Sequence, residues 1–376
     1  MERIRLHRID IRGFKSFDSK GEFLRLGDLT VLIGANGAGK SNLVSLFALL
    51  QSFTSRQLQN WVGRQGFAQR VLHYGADHTP HIFLSLEFKA EHFTSSYHIQ
   101  LSHVPGDQLV ITNEAEAHTR TDMRPHPEDP FRLNEPNPGY DADNGYRRES
   151  NVFAGSRSAA VLEGCRAYQF HDTAPRSTVR NNGPVADHIT LHADGGNLAA
   201  FLYQLKAAHP NNYRRIVQYL RRLVPSFHDF VLVPPAINPN YIKLNWTSDG
   251  EHTFGPEALS DGTVRLACLL TLLLQPDEQL PRVMVIDEPE LGLHPAALHM
   301  LAGLLNKAAR KIQVILATQS AALLDAIEPE QTVVIEYDTE RRASIIQHKT
   351  REGLQEWLKD YTLGELWEKN VLGGRP

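Results

Sequence analysis

One short stretch restricts the fold of this chain more than any other feature. Gly34–Ser41 reads Gly-Ala-Asn-Gly-Ala-Gly-Lys-Ser, with a buried-strand pattern at Leu29–Ile33 before it and an apolar helical pattern at Ser41–Phe53 after it. Glycines at these spacings let successive backbone N–H groups point inward, and the following helix N-terminus adds partial positive charge. The stretch therefore predicts a phosphate-binding loop between a parallel strand and a helix.

The side chains of this loop have separate expected roles. Lys40 is expected to hold the β- and γ-phosphates of a nucleotide, and the Ser41 hydroxyl to ligate Mg²⁺. A glycine-rich turn without a ligand is the alternative, but the agreement of strand, loop and helix argues against it. The residues expected to contact the nucleotide here are Gly34, Ala35, Asn36, Gly37, Ala38, Gly39, Lys40, Ser41 and Asn42.

An acidic pair follows a second apolar run. Val283–Ile286 places Asp287 and Glu288 at the carboxyl end of a buried strand, which is where open α/β sheets bind their ligands. Asp287 is expected to hold Mg²⁺ directly or through water, and Glu288 to orient or deprotonate an attacking water. Two acids that merely begin a solvated loop are the alternative, which a phosphate-binding loop in the same chain disfavours.

Leu259–Thr263, with the sequence Leu-Ser-Asp-Gly-Thr, directly precedes an apolar helix. Ser260 and the backbone amides near Gly262 lie where a helix N-terminus can bind an anion. Serine is also a good helix cap, so an ordinary capped helix is the alternative. The position of the stretch ahead of Asp287 favours the anion-binding interpretation.

Gln319 ends the strand that follows Asp287, within Ala317–Ser320. A polar side chain there can reach the γ-phosphate from the neighbouring strand. A strand end followed by a helix that Ser320 caps fits the sequence equally well.

Taken together, these residues resemble the RecF/SMC/OLD group of ABC-type ATPases. Ile9–Phe17 is similar to the first strand and nucleotide-edge loop of that group, and Gly34–Ser41 to its Walker A loop. Leu259–Thr263 resembles the signature motif, and Ile286–Pro295 the Walker B motif with its following loop. Gln319 stands where many members carry a histidine, which is a departure from the pattern of the group.

The resemblance covers roughly residues 1–100 and 190–376, and it is greatest to stand-alone predicted AAA-family ATPases of the group. Tyr168–Thr173 and Leu363–Pro376 are also similar to those members, with no role attached. Neither an Asp-x-Asp pair of a Toprim nuclease after Gln319 nor a long heptad repeat occurs in the sequence.

This resemblance implies a P-loop NTPase fold, an ABC-type head with a mostly parallel α/β sheet and an antiparallel β lobe. It also implies a homodimer in which Ser260 and Gly262 of one copy cover ATP bound with Mg²⁺ on the other. ATP binding would then be coupled to association. The catalytic residues it implies are Glu288, Lys40, Gln319 and Ser260.

Composition changes divide the chain into three expected regions. Residues 1–110 form the N-terminal half of the head, 111–225 an insertion, and 226–376 the C-terminal half with a helical tail. Within the insertion, residues 122–150 hold five prolines among many polar residues and are expected to be a flexible loop before a helical arm.

The formal net charge of −4 provides no general basic field, so any DNA contact would need a local basic face. Arg214, Arg221 and Arg222, on one side of an expected helix, are candidates for such a face.

Cys165 and Cys268 are far apart, which suits a reducing cytoplasm. The sequence has no signal-peptide pattern and no apolar run that could span a bilayer, so we expect a cytoplasmic protein without a membrane partner.

The expected function is ATP-driven head dimerisation in DNA maintenance or repair. The alternative is an ATPase sensor or scaffold of an antiviral or toxin complex that works with a separate effector protein. A transporter subunit is disfavoured because Leu259–Thr263 lacks the Leu-Ser-Gly-Gly-Gln form. Both remaining interpretations rest on analogy with the group and not on a site.

Overall fold

The computed structural model of the chain describes residues 3–120 and 158–374. The loop expected at 122–150 lies outside these described residues. Across the two described stretches, every helix is too short or too polar to cross a membrane.

The bounds of the elements follow in chain order. The strands are β1 (Arg5–Arg12), β2 (Glu22–Arg25), β3 (Leu29–Ile33), β4 (His81–Lys89), β5 (Phe93–Val104), β6 (Gln108–Arg120), β7 (Cys165–Tyr168), β8 (Gly183–Pro184), β9 (Asp229–Val231), β10 (Tyr241–Ile242), β11 (Asn245–Thr247), β12 (Thr253–Phe254), β13 (Val283–Asp287), β14 (Gln313–Thr318), β15 (Thr332–Asp338) and β16 (Ala343–His348). The α-helices are α1 (Lys40–Thr54), α2 (Leu58–Arg64), α3 (Ala68–Val71), α4 (Ala159–Glu163), α5 (Leu198–Ala208), α6 (Pro210–Leu223), α7 (Asp261–Leu274), α8 (Pro295–Ala309), α9 (Ala321–Leu324), α10 (Arg351–Leu354) and α11 (Leu363–Glu368).

The chain divides into two compact units. The terminal unit comprises Met1–Arg166 and Glu328–Pro376, and the central unit comprises Ala167–Ile327. Each unit has its own strands, helices and apolar interior, so each is described by itself below.

An antiparallel sheet in the order β2-β1-β4-β5-β6 forms one layer of the terminal unit. Burial alternates along β4, as expected for a strand with one face on an apolar interior and the other on solvent. The alternating residues at 81–88 and 95–101 predict paired strands, which are confirmed as β4 and β5, with Ser85 opposite His98.

The phosphate loop follows a second group of strands in the same unit. β3 pairs in parallel with β15, where Leu32 lies opposite Val333, and β15 pairs in antiparallel with β16. All five residues of β3 are buried, which fits the continuous apolar run read from the sequence. The predicted strand and helix on the two sides of Gly34–Ser41 are thereby confirmed as β3 and α1.

The central unit contains a parallel pair, β13 and β14, in which Val285 lies opposite Ile315. Every residue of both strands is buried. The helices α5, α6 and α7 pack in succession, and β9, β11 and β12 form a small antiparallel sheet. Parallel pairs in both units together with the antiparallel sheet confirm the predicted α/β fold class.

The two cysteines lie in the apolar interior. Cys165 and Cys268 are both buried with free thiols. Burial raises the pKa of the Cys165 thiol to about 12, and burial likewise raises the pKa of Cys268. Both thiols are therefore protonated at neutral pH.

Ile189 and Leu191 alternate with a polar residue as in a strand, but the strand that this pattern predicts is wrong. This segment forms a loop in which the Ile189 side chain is 78% exposed. The Asn197 side chain holds the loop, because its amide donates to the Thr190 carbonyl and its oxygen accepts from the His192 N–H. A side chain thus replaces the strand partner that alternating apolar residues had suggested.

The tail, which the sequence predicts to be helical, is made of short helices and not of one long helix. The structure has two short helices there, α10 and α11, separated by residues 355–362. A reciprocal pair of side-chain bonds between Thr362 and Glu365 begins α11 anew. Such a capping box sets a helix start regardless of the apolar spacing before it.

Candidate functional site

Backbone geometry makes the phosphate loop dependent on glycine. Gly37 and Gly39 have φ values of 80° and 118°, which side-chain-bearing residues rarely adopt. At Gly34 the restriction is space, because an added Cβ would lie 2.2 Å from the Ile335 carbonyl oxygen. The first and last bends of the loop therefore need glycine for different reasons.

Lys40 lies over its own loop at the start of α1. Its side chain is 4% exposed, and its Nζ donates to the carbonyl oxygens of Gly34 at 2.6 Å and Ala35 at 3.0 Å. An ammonium group and the N-terminal end of α1 thus lie together, which is the arrangement that binds phosphate.

The predicted nucleotide-edge loop lies beside this helix start. Ser16 Oγ accepts hydrogen bonds from Asn42 Nδ2 at 2.8 Å and from Ser344 Oγ at 2.7 Å. Ser344 Oγ also lies 2.5 Å from the Ala38 carbonyl oxygen, to which it can donate instead. These bonds connect the edge loop, the phosphate loop and β16 within the terminal unit.

Lys15, in the edge loop, contacts α1 and the residue that follows α2. Its Nζ donates to Ser45 Oγ at 2.7 Å and to Gln65 Oε1 at 2.8 Å. Burial lowers the pKa of the Lys15 ammonium to about 8, because a charged group loses solvation when it leaves water.

A cavity of about 380 Å³ opens beside Lys15, Ser16 and Asn42. Arg70 and Arg342 line it as well, so its charged lining residues are cationic. Two further lining residues, Tyr74 and Tyr337, approach each other with their hydroxyl oxygens 3.1 Å apart. Cationic groups next to exposed aromatic rings suit an anionic ligand that carries a flat ring.

The central unit carries the acidic strand end, Asp287–Glu290, at the carboxyl terminus of β13. Asp287 is 3% exposed, and its Oδ2 accepts a hydrogen bond of 2.9 Å from Gln169 Nε2. His171 Nε2 lies 3.2 Å from the Asp287 carbonyl oxygen. Residues just after β7 thus orient this carboxylate, although they are more than 100 positions away in the sequence.

Glu288 has a backbone conformation that non-glycine residues seldom adopt. Its φ is 45°, and its N–H donates to the Ala317 carbonyl at 2.8 Å. Gln319 Nε2 donates to Glu288 Oε1 at 3.2 Å, and His171 Nε2 lies 4.0 Å from Oε2. The structure thus brings two polar side chains, Gln319 and His171, to the Glu288 carboxylate. Gln319 and Glu288 were both predicted from the sequence to be site residues.

Glu290 is a residue of this site that sequence reasoning missed. Its Oε1 accepts a 2.7 Å hydrogen bond from the Gln319 N–H, while its Oε2 is buried without a hydrogen bond. Burial raises the pKa of this carboxyl group. Its spacing from Glu288, Glu-Pro-Glu, was the signal available in the sequence.

The signature segment, Leu259–Thr263, begins α7 in the central unit. Ser260 caps the helix, and its Oγ accepts from the Thr263 N–H at 3.2 Å. An added Cβ at Gly262 would lie 2.3 Å from the Gly292 carbonyl oxygen, so glycine is needed there for close packing. The helix start is held rigidly, and its first N–H groups have no partner within the helix.

Arg180, which the sequence did not suggest, fixes this helix start. Its side chain is 5% exposed and donates to the carbonyls of Thr173 at 2.6 Å and Leu259 at 3.0 Å. It also donates to Asp261 Oδ1 at 2.7 Å and to the Pro256 carbonyl. The hydrogen bond from Arg180 lowers the pKa of Asp261. One buried guanidinium therefore holds the signature segment against the stretch that follows Gln169.

Serine hydroxyl and carboxylate oxygens are the hard ligands that Mg²⁺ prefers, usually in combination with phosphate oxygens and water. Ser41 follows Lys40 in the first turn of α1, and Asp287 ends β13. The donor chemistry of both predicted metal-binding residues therefore fits Mg²⁺.

Comparisons with known proteins place this geometry in a family. Residues 29–325 match the family model described as "AAA domain, putative AbiEii toxin, Type IV TA system". No curated protein matches the chain.

Two solved structures are similar across nearly the whole chain. One is an Smc head bound to the C-winged helix domain of ScpA, with a TM-score of 0.58, 14% identity, and coverage of 93% of this chain and 99% of that chain. The other is an Smc head with an extended coiled coil bound to the C-terminal domain of ScpA from Pyrococcus furiosus, with a TM-score of 0.55, 13% identity, and coverage of 95% and 99%.

At these identities the similarity establishes the fold alone, and that fold is an ABC-type P-loop head. The family match together with this fold confirms the predicted resemblance, and the family match confirms the predicted enzyme class. Because the family model spans most of the sequence, the chain belongs to the AAA-domain family that carries this toxin-system description, and it is a P-loop ATPase.

Proposed function

We propose that the chain hydrolyses ATP with Mg²⁺, and that Glu288 prepares the attacking water. The observation that carries this proposal is the strained position of Glu288 at the end of β13, between Gln319 and His171. Backbone strain of this kind persists where the surrounding structure imposes it, and it occurs often at active sites.

In the proposed reaction, water attacks the γ-phosphorus in line and the bond to the β,γ-bridging oxygen breaks. The proton of the water passes to the Glu288 carboxylate, which Gln319 orients through its amide. Lys40 stabilises charge on the phosphates, and the backbone of Gly34–Ser41 holds them. Ser41 and Asp287 would hold Mg²⁺, which when bound neutralises charge on the phosphate oxygens.

The cavity beside Asn42 supports a nucleotide over a simple phosphate compound as the ligand. Its cationic groups, Lys15, Arg70 and Arg342, suit phosphate, and the exposed Tyr74 and Tyr337 suit a flat base. A ligand with both parts can fill the cavity and reach the phosphate loop, because Asn42 lies in the first turn of α1.

A second copy of the chain would complete the site with its Ser260 and Gly262. Two features support this part of the proposal: Ser260 begins a helix whose free N–H groups favour anions, and Arg180 keeps that helix start in place. ATP would then promote association of two heads, and hydrolysis would release them.

For the process served, we favour the ATPase of a toxin or antiviral complex with a separate effector protein. The family description, which names a toxin system, supports this choice. DNA maintenance remains the second candidate, supported by similarity in fold to Smc heads. The basic face of α6 supports it less, because Arg221 is engaged with the His228 carbonyl and Arg214 with Asn211.

The test is Glu288→Gln, with Glu251→Gln on the surface as the matched control. We expect the Glu288 variant to retain ATP and to elute as a dimer in size-exclusion chromatography with light scattering. The control should dissociate as the unaltered chain does. A Glu288→Gln protein that stays monomeric with saturating ATP would contradict completion of the site by a second copy.

The trapped dimer also separates the two processes. Affinity purification of Glu288→Gln with ATP should recover a stoichiometric effector protein if the first candidate is right. Turnover that rises on addition of DNA, with no effector recovered, would support the second candidate instead.

A further inference from the structure

The C-terminal strap, Leu363–Gly374, is a compact segment of the terminal unit that the proposed function does not use. It consists of α11 and the six residues after it. Four of its side chains are at most 5% exposed, namely Leu363, Leu366, Trp367 and Leu372. A segment anchored by so much buried apolar surface is part of the fold and not a loose tail.

The strap ends in a fixed direction. Asn370 adopts a left-handed conformation with φ 58°, and the Val371 N–H bonds to the Leu366 carbonyl at 2.9 Å, which closes α11. Gly373 and Gly374 follow with φ values of 78° and 77°. Two successive left-handed glycines turn the chain sharply and direct it toward the phosphate loop.

The strap contacts the phosphate loop through its last described residue. The Gly374 carbonyl accepts a 2.6 Å hydrogen bond from the Ala35 N–H. An added Cβ on Gly374 would lie 2.6 Å from Val334 Cγ1 and 3.3 Å from the Ile335 carbonyl oxygen. Gly374 therefore lies tightly between β15 and the start of the loop, where a larger residue has no room.

Both backbone polar groups of Ala35 are hydrogen-bonded. Gly374 accepts from its N–H, while its carbonyl accepts from Lys40 Nζ at 3.0 Å and from the Ala38 N–H at 3.2 Å. Lys40 is the residue expected to bind the phosphates, so the strap and the lysine act on the same short piece of backbone.

We propose that the C-terminal strap is a positioning element of the phosphate loop, and that the Gly374 carbonyl holds the loop in its binding shape before ATP arrives. This inference rests on the proposed role of Gly34–Ser41 in binding ATP. A glycine-rich loop loses much conformational entropy when it is ordered. If the strap orders the loop before ATP binds, ordering the loop consumes less of the binding free energy of ATP.

Two neighbouring glycines give a matched test. Gly373→Ala and Gly374→Ala carry a similar backbone cost, since both positions are left-handed. An added Cβ at Gly373 would meet nothing nearer than Glu336 Oε2 at 3.8 Å, whereas at Gly374 it would displace the strap from Val334. A difference in nucleotide affinity between two folded variants therefore reports the displacement of the strap from the phosphate loop.

Binding of a fluorescent ATP analogue and thermal unfolding would be measured for both variants. We expect Gly374→Ala to bind the nucleotide about fivefold more weakly than Gly373→Ala, as the loss of one backbone hydrogen bond predicts. The melting temperatures check that both nucleotide-free variants are folded, and a lower value is expected for Gly374→Ala because of its contact with Val334. Equal affinities would overturn the proposal.

A second measurement does not depend on the variants folding. In the unaltered, nucleotide-free chain, hydrogen exchange should be slower at the Ala35 amide than at the Gly37 amide. Equal exchange at the two amides would also overturn the proposal. Lys40→Ala separates this proposal from the proposed function. If this variant binds ATP normally, the proposed role of the phosphate loop is wrong. If it does not, the comparison of Gly373→Ala with Gly374→Ala tests the strap alone.

Discussion

The phosphate loop of the terminal unit and the acidic strand end of the central unit are built in different ways. In the phosphate loop, the proposed binding surface is backbone, and glycines at Gly34, Gly37 and Gly39 permit its bends. In the acidic strand end, side chains form the surface, and Gln169 and Gln319 orient the carboxylates.

The phosphate loop is therefore determined by residues that are adjacent in the sequence, and the acidic strand end by residues that are distant in the sequence. The loop needs a contiguous run of residues and the strand and helix around it, all within a few turns of chain. The acidic strand end needs three stretches that meet only in the folded central unit. Substitutions should therefore abolish function at the loop and weaken it in graded steps at the acidic strand end.

The largest effect should come from Lys40→Ala. Removing the ammonium leaves phosphate charge without its nearest cation, so we expect ATP affinity to fall about a hundredfold or more. Isothermal titration calorimetry would measure it, with the exposed Lys20→Ala as the control. An affinity equal to that of the control would show that the phosphate loop does not bind the nucleotide. The contrast drawn here between the phosphate loop and the acidic strand end would then be wrong.

Gln169→Leu should have the next largest effect. Without its amide, Asp287 loses the group that orients its carboxylate, and such supporting residues are worth roughly 10- to 100-fold in activity. Steady-state turnover across a Mg²⁺ titration should fall by that amount, while ATP affinity should change little. Gln355→Leu, at an exposed position, is the control, and equal turnover in both variants would contradict a role for Gln169.

Arg180→Met tests whether the central unit depends on a remote side chain for stability. The variant leaves buried carbonyls of Thr173 and Leu259 without their donor, and we expect unfolding free energy to fall by about 3 kcal/mol. Urea denaturation at neutral pH would measure it. As the control, Arg221→Met removes one exposed hydrogen bond and should lower the unfolding free energy by at most about 0.5 kcal/mol. A similar loss in both variants would argue against a stabilising role for the Arg180 hydrogen bonds.

The smallest expected effect is a change in how the stability of the terminal unit depends on pH. Because burial lowers the pKa of Lys15 from 10.5 to about 8, the unfolded chain binds more protons than the folded chain between these values. The contribution of Lys15 to stability should therefore rise with pH from about 8 to 10.5. Lys15→Met should remove that rise in denaturation midpoints measured at pH 7 and 10, and an unchanged slope would contradict the assignment.

Sequence alone was sufficient for the parts that depend on local pattern. β3, α1, β13 and the N-cap at Ser260 follow from apolar runs, glycine spacing and capping preference. The direct partners of Asp287 and of the signature segment could not be predicted. Gln169 and Arg180 lie in a polar stretch without periodicity, and only the packing of α7 and β13 brings them to their partners.

The wrong strand prediction and the division of the tail have the same physical origin. Alternating apolar residues at Ile189–Leu191 suggested a strand, but the Asn197 side chain satisfies that backbone in a loop. In the tail, the capping pair Thr362 and Glu365 begins α11 separately from α10. In both places a polar side chain bonded to nearby backbone and outweighed the apolar pattern.

The buried, protonated thiols of Cys165 and Cys268 have a practical consequence. Thiol-reactive dyes attack the thiolate of accessible cysteines, so both natural cysteines should stay unlabelled while the chain is folded. A single cysteine introduced on the surface would then carry the only fluorophore. Energy transfer between labelled copies could follow the opening and closing of the proposed paired heads in real time, without first replacing either native cysteine.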